Sequence, residues 1–426
     1  MIEINGTYSK AKIYTDSLEI STEIQITKLV NHPALEDTKI RIMPDVHTGK
    51  GAVIGMTVNL TNRVVPNIIG VDIGCGVSAW KIGITPPNFE ELDKIIREKV
   101  PAGYRHRNDV YPASHLFELI NLENTGIRDY TDFIDKIKSM EAIKDKYQDI
   151  DRVLRSIGSL GGGNHFIEIN LDHEGNYWLI IHSGSRSFGL AIALYHQAIA
   201  EDLFKPKTTN EKINFEEIVK EAKLKGKEDQ IPMLIKSKTD ELKRRHWKPS
   251  GLEYLEDENR EAYFRDMKIA QIYAKLNRLV MADNIINYLG LKIQELDFIE
   301  SVHNYINFND NILRKGAISA HKGEKLLIPL NMAEGTILGV GKGNEDWNYS
   351  AAHGAGRKLS RTQAEKIINL QEFKNTMKDV WTSCVSEKTI DEAPQAYKNS
   401  EEIIRNLASS VDIITIMKPV YNFKAN

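Results

Sequence analysis

Cysteine is nearly absent: Cys75 and Cys384 are the only two in 426 residues, so no disulfide framework holds this chain together. Long apolar runs are missing as well. No stretch reaches the roughly 18 residues that a membrane-crossing helix needs. No basic start followed by an apolar segment reads as an export signal. These absences place the chain, as an expectation, in the reducing cytoplasm and away from any membrane. Neither sign of charge dominates. A formal net charge of −3 excludes whole-surface attraction to nucleic acid and leaves only a local basic patch for such contact. Repeats, low-complexity tracts and Pro/Gly/Ser-rich linkers are also lacking. What is present is 41% hydrophobic and 27% charged, an ordinary globular composition with enough chain for a large core.

The pattern along the chain alternates between strand and helix periods. Up to Ile84 it reads as short β-segments broken by Gly, Pro and Asn, among them Ala52–Leu60 and Val77–Ile82. Residues 129–157, rich in Lys, Asp and Ile at helical spacing, predict a solvated helix. Tyr177–Ile181 predicts a buried strand. From about Leu190 to Tyr288 the chain reads as mainly helical, with Ala270, Ile272, Tyr273, Leu276, Leu279 and Val280 on one apolar face. The basic run Lys236–Lys248 within it reads as a solvated face, with nucleic-acid contact as the competing reading. Strands return at Lys325–Pro329 and Gly335–Val340. Ser360 and Gln363 have capping-box spacing and predict a helix start. A helix over Ser400–Leu407 and a strand over Val411–Met417 follow. The expectation is one mixed α/β domain over residues 1–426, built on central β-sheets, with a mainly helical insertion at about 190–288.

Six segments carry chemistry. In Gly70-Val71-Asp72-Ile73-Gly74-Cys75-Gly76 the glycines let the backbone curl, so that the carboxylate of Asp72 and the thiol of Cys75 can face one point. That pair suits a divalent transition metal; a tight turn around a buried thiol is the bland alternative. Gly161-Gly162-Gly163-Asn164-His165-Phe166-Ile167-Glu168 sends a triple glycine into a strand. Period two then puts His165 and Ile167 on one face and Asn164, Phe166 and Glu168 on the other. His182-Ser183-Gly184-Ser185-Arg186 follows a strand and offers hydroxyls and a guanidinium of phosphate-binding type. His303 stands alone in an apolar stretch and reads by itself as a core histidine. His353-Gly354-Ala355-Gly356-Arg357 places a histidine in a glycine loop ahead of a helix, where an anion or a phosphorus centre is within reach. Asp45, in Met43-Pro44-Asp45-Val46-His47, is either a general base or a turn-stabilising residue.

Taken in order, these segments resemble the RtcB family of RNA ligases. The blocks Gly161–Glu168 and His353–Arg357 are the most specific, and Met43–His47, Val71–Gly76, His182–Arg186, His303-Asn304 and Arg314–Ala317 hold the same order. The resemblance implies a GTP-dependent ligase that uses two Mn²⁺ ions. It would join RNA ends bearing a 2′,3′-cyclic phosphate or 3′-phosphate to 5′-hydroxyl ends through a guanylylated histidine, in tRNA splicing or RNA repair. His353 would be that nucleophile, with Asp45 as a second catalytic residue. Cys75 would bridge the two ions, with Asp72 and His165 at one and His182 and His303 at the other. Nucleotide-binding positions would be Asn164, His165, Phe166, Ile167, Glu168, His303, Asn304, Pro329, Leu330, Asn331, Met332, Thr336, His353, Gly354, Ala355, Gly356 and Lys424. The sequence departs from the common pattern in Pro329–Glu334, in Thr336 where a serine is usual, and in the tail Lys424-Ala425-Asn426. These departures resemble a divergent bacterial-type branch. A metal-dependent phosphoesterase that opens cyclic phosphates without sealing, and a non-catalytic RNA-binding protein, are the alternatives. An accessory activator, and a monomer or homodimer, are left open.

Overall fold

A computed structural model describes residues 1–205, 215–227, 230–236 and 249–425. The basic run expected to be a solvated face lies, apart from Lys236, outside the described residues. One sheet has six strands in the order β1 (Ile2–Asn5), β2 (Lys10–Ile13), β3 (Lys39–His47), β4 (Ile54–Asn59), β10 (Ile312–Lys315) and β9 (Asn304–Asn307). A second has seven, in the order β12 (Lys325–Asn331), β13 (Gly335–Gly341), β15 (Val411–Phe423), β6 (Phe166–Leu171), β7 (Tyr177–Ser183), β5 (Gly76–Gly83) and β8 (Phe298–Val302). A two-stranded piece pairs β11 (Ala317–Ser319) with β14 (Ser350–Ala352). The architecture is the expected mixed α/β class.

The strands form where apolar residues alternate or run together between glycines. β7 carries Leu179, Ile180 and Ile181, all fully buried, as a strand covered on both faces must. Pairing of β3 with β4 is interrupted between Ile42 and His47. Pro44 lies in that gap and has no N–H to give to a ladder. The interruption frees Asp45 from the sheet pattern. β15 continues beyond the expected end at Met417 to Phe423 because it changes partner there, pairing with β13 up to Met417 and with β6 from Lys418, and a register shift at Pro419/Tyr421 falls within the β6 ladder.

The long helix Asp257–Tyr288 packs on β7 and on the helix Arg186–Phe204. Ala270, Tyr273, Leu276 and Val280 are buried as the periodicity requires. The solvated helix expected over 129–157 is instead three short helices, Tyr130–Ser139, Glu141–Lys146 and Asp151–Arg155. Phe133, Ile137, Ile143, Val153 and Leu154 turn into the core, so the charged residues cover only the outer side. The N-terminal region also holds a helix, Ile20–Val30, that buries Thr22, Ile26, Leu29 and Val30. Its β-branched residues favour strands in isolation, and burial of that face overrides the preference. Ser360 and Gln363 do form a reciprocal capping box at the start of Arg361–Ile367. No described helix is long and apolar enough to cross a membrane.

Candidate active site

Antiparallel registration gathers the ligand candidates at one end of the large sheet. Gly76 pairs with Ser183 on one side and with Val302 on the other, and Phe166 pairs with His182. Cys75, His182, His165 and His303 therefore fall in one row across β5, β7, β6 and β8, although their sequence separations share no pattern. The sulfur of Cys75 lies 3.4 Å from Nε2 of His165 and 3.3 Å from Nε2 of His182. Nε2 of His182 is 3.3 Å from Nε2 of His303, and Nε2 of His165 is 3.0 Å from Oδ2 of Asp72. Two donor groups result, Asp72–Cys75–His165 and Cys75–His182–His303, each with its donor atoms within 4.8 Å of one another. Cys75 belongs to both.

The surroundings tune these donors for a cation. Nδ1 of His165 bonds to the Leu160 carbonyl at 2.8 Å and Nδ1 of His182 to the Asn164 carbonyl at 3.1 Å. Such bonds fix the tautomer and turn the Nε2 lone pairs inward. Burial, with neighbouring imidazoles, pushes His182 and His303 well below the usual histidine range, which keeps their lone pairs free of protons. Burial pushes the Asp72 carboxyl up, but the hydrogen bond and charge of His165, with Cys75 and Arg186, together outweigh this and hold it at about 2. Burial and the Asp72 charge push the Cys75 thiol well up. A thiolate there requires a cation, and the thiol, imidazole and carboxylate set fits a divalent transition metal.

Glycines and buried polar groups hold this geometry. Gly161 has φ +92°, and a Cβ there would sit 1.9 Å from Nη1 of Arg186 and 2.7 Å from Nδ1 of His165. The Ser-Gly-Ser-Arg segment, whose residue types suggested phosphate binding, faces inward. Ser183 Oγ donates to the Leu160 carbonyl, Ser185 N–H to Asp72 and Arg186 to the Gly103 carbonyl. Arg278, on the long helix, donates to the carbonyls of Gly74 and Ser183. Its neighbour Asn277 donates to the Gly184 carbonyl and accepts from the N–H groups of Gly158 and Ser159. Neither residue stood out in the sequence; a polar pair inside an apolar helix face is the signal that marks them.

Beside the donors opens a cavity of about 870 Å³, within the size range of small-molecule sites. His182 and His353 line it, as do Asn164, Phe166, Glu168, Pro329, Leu330, Asn331, Met332, Gly354, Ala355, Gly356 and Lys424. His303, Asp72, Cys75 and His165 stand behind this surface, and the His353 ring lies 4.8 Å from that of His303. Nδ1 of His353 is 2.6 Å from Oδ2 of Asp45, which is fully buried and also accepts the His353 N–H. The glycine at 356 is required, since a Cβ would meet the Asp45 carbonyl oxygen at 2.3 Å. His47 lines the cavity too, and burial pushes it down to about 4. Five residues expected at a nucleotide do not line the cavity: His165 and His303, which stand behind it among the donors, and Ile167, Thr336 and Asn304. Ile167 is fully buried in the main core, on the face of β6 opposite Phe166 and Glu168. Thr336 is fully buried in β13, with its hydroxyl 3.4 Å from the Asn170 amide. Asn304 accepts from Gly316 and Gly74.

At the far wall a charge network went unseen in the sequence. Glu392, buried, meets Lys424 at 3.2 Å, Arg357 at 3.1 Å, Arg361 at 2.9 Å and the Tyr397 hydroxyl at 2.6 Å. Burial pushes its carboxyl up, but Lys424, Arg361, Tyr397 and Arg357 together outweigh that and hold it at about 2. Arg357, Arg361 and Lys424 thus present cationic groups to the cavity. Opposite them, burial raises the Glu168 carboxyl to about 7, while the Asn422 amide donates to it at 2.7 Å.

A buried thiol shared by two donor groups, set against a cavity with an aspartate-braced histidine, defines an enzyme. A family model described as tRNA-splicing ligase RtcB matches residues 25–425, and this chain belongs to the RtcB family. The RNA-splicing ligase RtcB of Escherichia coli K12 is 30% identical over 406 residues, covering 89% of this chain and 88% of its own. The RNA-splicing ligase RtcB2 of another Escherichia coli strain is 24% identical over 446 residues, with 98% and 95% covered. The tRNA-splicing ligase RtcB of Nanoarchaeum equitans is 25% identical over 467 residues, with 93% and 90% covered. The enzyme is a ligase.

Proposed function

We propose that this ligase seals RNA, joining a 2′,3′-cyclic phosphate or 3′-phosphate end to a 5′-hydroxyl end with GTP and Mn²⁺, in tRNA splicing or RNA repair. The observation that carries the reading is the pair of donor groups sharing Cys75 beside His353. Asp72 and His165 would hold one ion, His182 and His303 the other, with Cys75 common to both. Bound cations would keep that sulfur deprotonated and neutralise phosphate oxygens. Asp45 occupies Nδ1 of His353, which leaves Nε2 as the nitrogen free to attack phosphorus. Asp45 also stabilises the positive charge the ring gains on bond formation. Arg357, Arg361 and Lys424 offer charge to phosphates or base edges in the cavity, and Glu168 offers an acceptor.

Incubation with GTP labelled at the α-phosphate and Mn²⁺ tests this. Label is expected on the protein and absent from His353→Ala. RNA carrying a cyclic phosphate and a 5′-hydroxyl partner is expected to be sealed. Opening of the cyclic phosphate without sealing would assign the chain to phosphoesterase chemistry instead.

A further inference from the structure

We propose that a second cleft, lined by residues 97–99, 101 and 105–112, docks the unpaired RNA strand leading to the reacting end, with the adjoining Tyr104, outside the lining, as a stacking platform and Arg105 on a phosphate. The inference rests on the RNA-joining reading and adds where, outside the catalytic cavity, the strand is held.

The cleft has a volume of about 570 Å³ and is lined by Arg97, Lys99, Arg105, His106 and Arg107, with Glu98 and Asp109 as the acidic members; Arg97 pairs with Asp93 and Lys99 with Glu98, each at 2.7 Å, which leaves Arg105 and Arg107 as the cations without a carboxylate partner among the described residues. A local cationic excess is the patch a chain of net charge −3 needs to meet a polyanion. Tyr104 precedes the lining residue Arg105 and is 101% exposed, the most exposed large side chain of its kind among the described residues. An aromatic ring held in water has no folding role, since it buries nothing.

The loop that carries Tyr104 is bonded to neighbouring segments on both sides of that residue. The N–H of Leu160 donates to the Pro101 carbonyl at 2.8 Å, that of Gly103 to the Gly161 carbonyl at 2.9 Å, and that of Arg107 to the Arg155 carbonyl at 3.0 Å. Arg186 clamps the Gly103 carbonyl. Arg107 is committed to the wall: it donates to the Lys99 carbonyl and stacks 4.9 Å over Tyr111, whose hydroxyl donates to the buried Asp283. Arg105 has one long contact, 3.4 Å to the Ala102 carbonyl, and is exposed. The loop is bonded to the same Leu160–Gly161 segment whose carbonyl orients His165. Gly162, Gly163 and Asn164 then run exposed from that segment to the catalytic cavity, which Asn164 lines. A strand stacked at Tyr104 therefore has a short open track to the donors. An unpaired base offers a free π-face to such a ring, and a duplex does not.

The test uses the full chain and a fluorescent, unpaired RNA oligonucleotide ending in a 3′-phosphate, read by anisotropy. Tyr104→Ala is expected to weaken binding by roughly five- to fifty-fold, with Tyr104→Phe within about two-fold of the unaltered protein. Arg105→Ala is expected to lower the salt dependence of binding by about one phosphate contact. A blunt RNA duplex should be insensitive to Tyr104→Ala. Labelling of the protein by GTP alone should be unchanged in all three variants. Unchanged oligonucleotide affinity in both alanine variants, with ligation intact, overturns the docking surface and leaves the RNA-joining reading standing. Tyr104-dependent RNA binding by a protein that never ligates has the opposite meaning.

Discussion

Replacing Arg278 by Met removes a guanidinium that is 1% exposed and makes four hydrogen bonds, to Ser78 Oγ, the carbonyls of Gly74 and Ser183, and Glu300 Oε1. Gly74 precedes Cys75, and Ser183 follows His182. The guanidinium thus staples the turn that carries one donor to the strand that carries another. Breaking a buried ion pair costs about 3–5 kcal/mol. Glu300 keeps Lys275 at 3.2 Å, which moves the pair loss to the low end. Two carbonyls that lose a charged donor add about 1 kcal/mol each. The expected loss is about 5 kcal/mol, read as a shift in the urea midpoint of metal-free protein. Loss of a group that orients metal ligands typically weakens metal binding about 10- to 100-fold, and isothermal titration with Mn²⁺ checks that. Arg278→Lys keeps a charge for Glu300 but cannot span both carbonyls. It should recover part of the stability and little of the metal affinity. An Arg278→Met protein within about 1 kcal/mol of the unaltered one, with unchanged Mn²⁺ affinity, would refute the staple.

Cys75→Ala removes the donor common to both groups, so bound metal and RNA sealing should disappear together; full metal occupancy in that variant, measured by elemental analysis, would undo the shared-ligand assignment. Glu168→Gln probes pH. The Glu168 carboxyl is raised from 4.5 to about 7 by burial, so the folded state holds a proton that the unfolded chain has released between those values. Its contribution to stability falls as pH rises through that window and is level above it. The Gln variant should lack this decline in Tm across the window, and an identical decline in both proteins would show that Glu168 does not titrate there.

Local features were legible because their causes are local. The Ser360 capping box needs only its own turn, and it formed as spaced. The buried strand at Tyr177 and the apolar face of the long helix follow from period alone. The helix Ile20–Val30 was not legible, since its isoleucines and threonines satisfy a strand pattern equally well. Cys75 illustrates the harder case. Its glycine turn and Asp72 mark one donor group, but the second group comes from β7 and β8, which become neighbours of β5 only through sheet order. The sequence reached that group by resemblance and not by spacing. Glu392 and Arg278 are ordinary charges in sequence; burial beside several partners is what makes them matter.

The position of β15 has a consequence for how this protein is made. It occupies an interior place in the seven-stranded sheet, between β13 and β6, although it comes from residues 411–423. During synthesis the ribosome releases β6 long before that partner exists, and both neighbours carry open edges until it inserts. The cavity lacks part of its wall until then as well, because Lys424 follows the same strand. Non-local pairing of this kind folds slowly and leaves edges exposed to other chains. A nascent chain stalled before residue 411 therefore has neither a finished sheet nor a finished pocket.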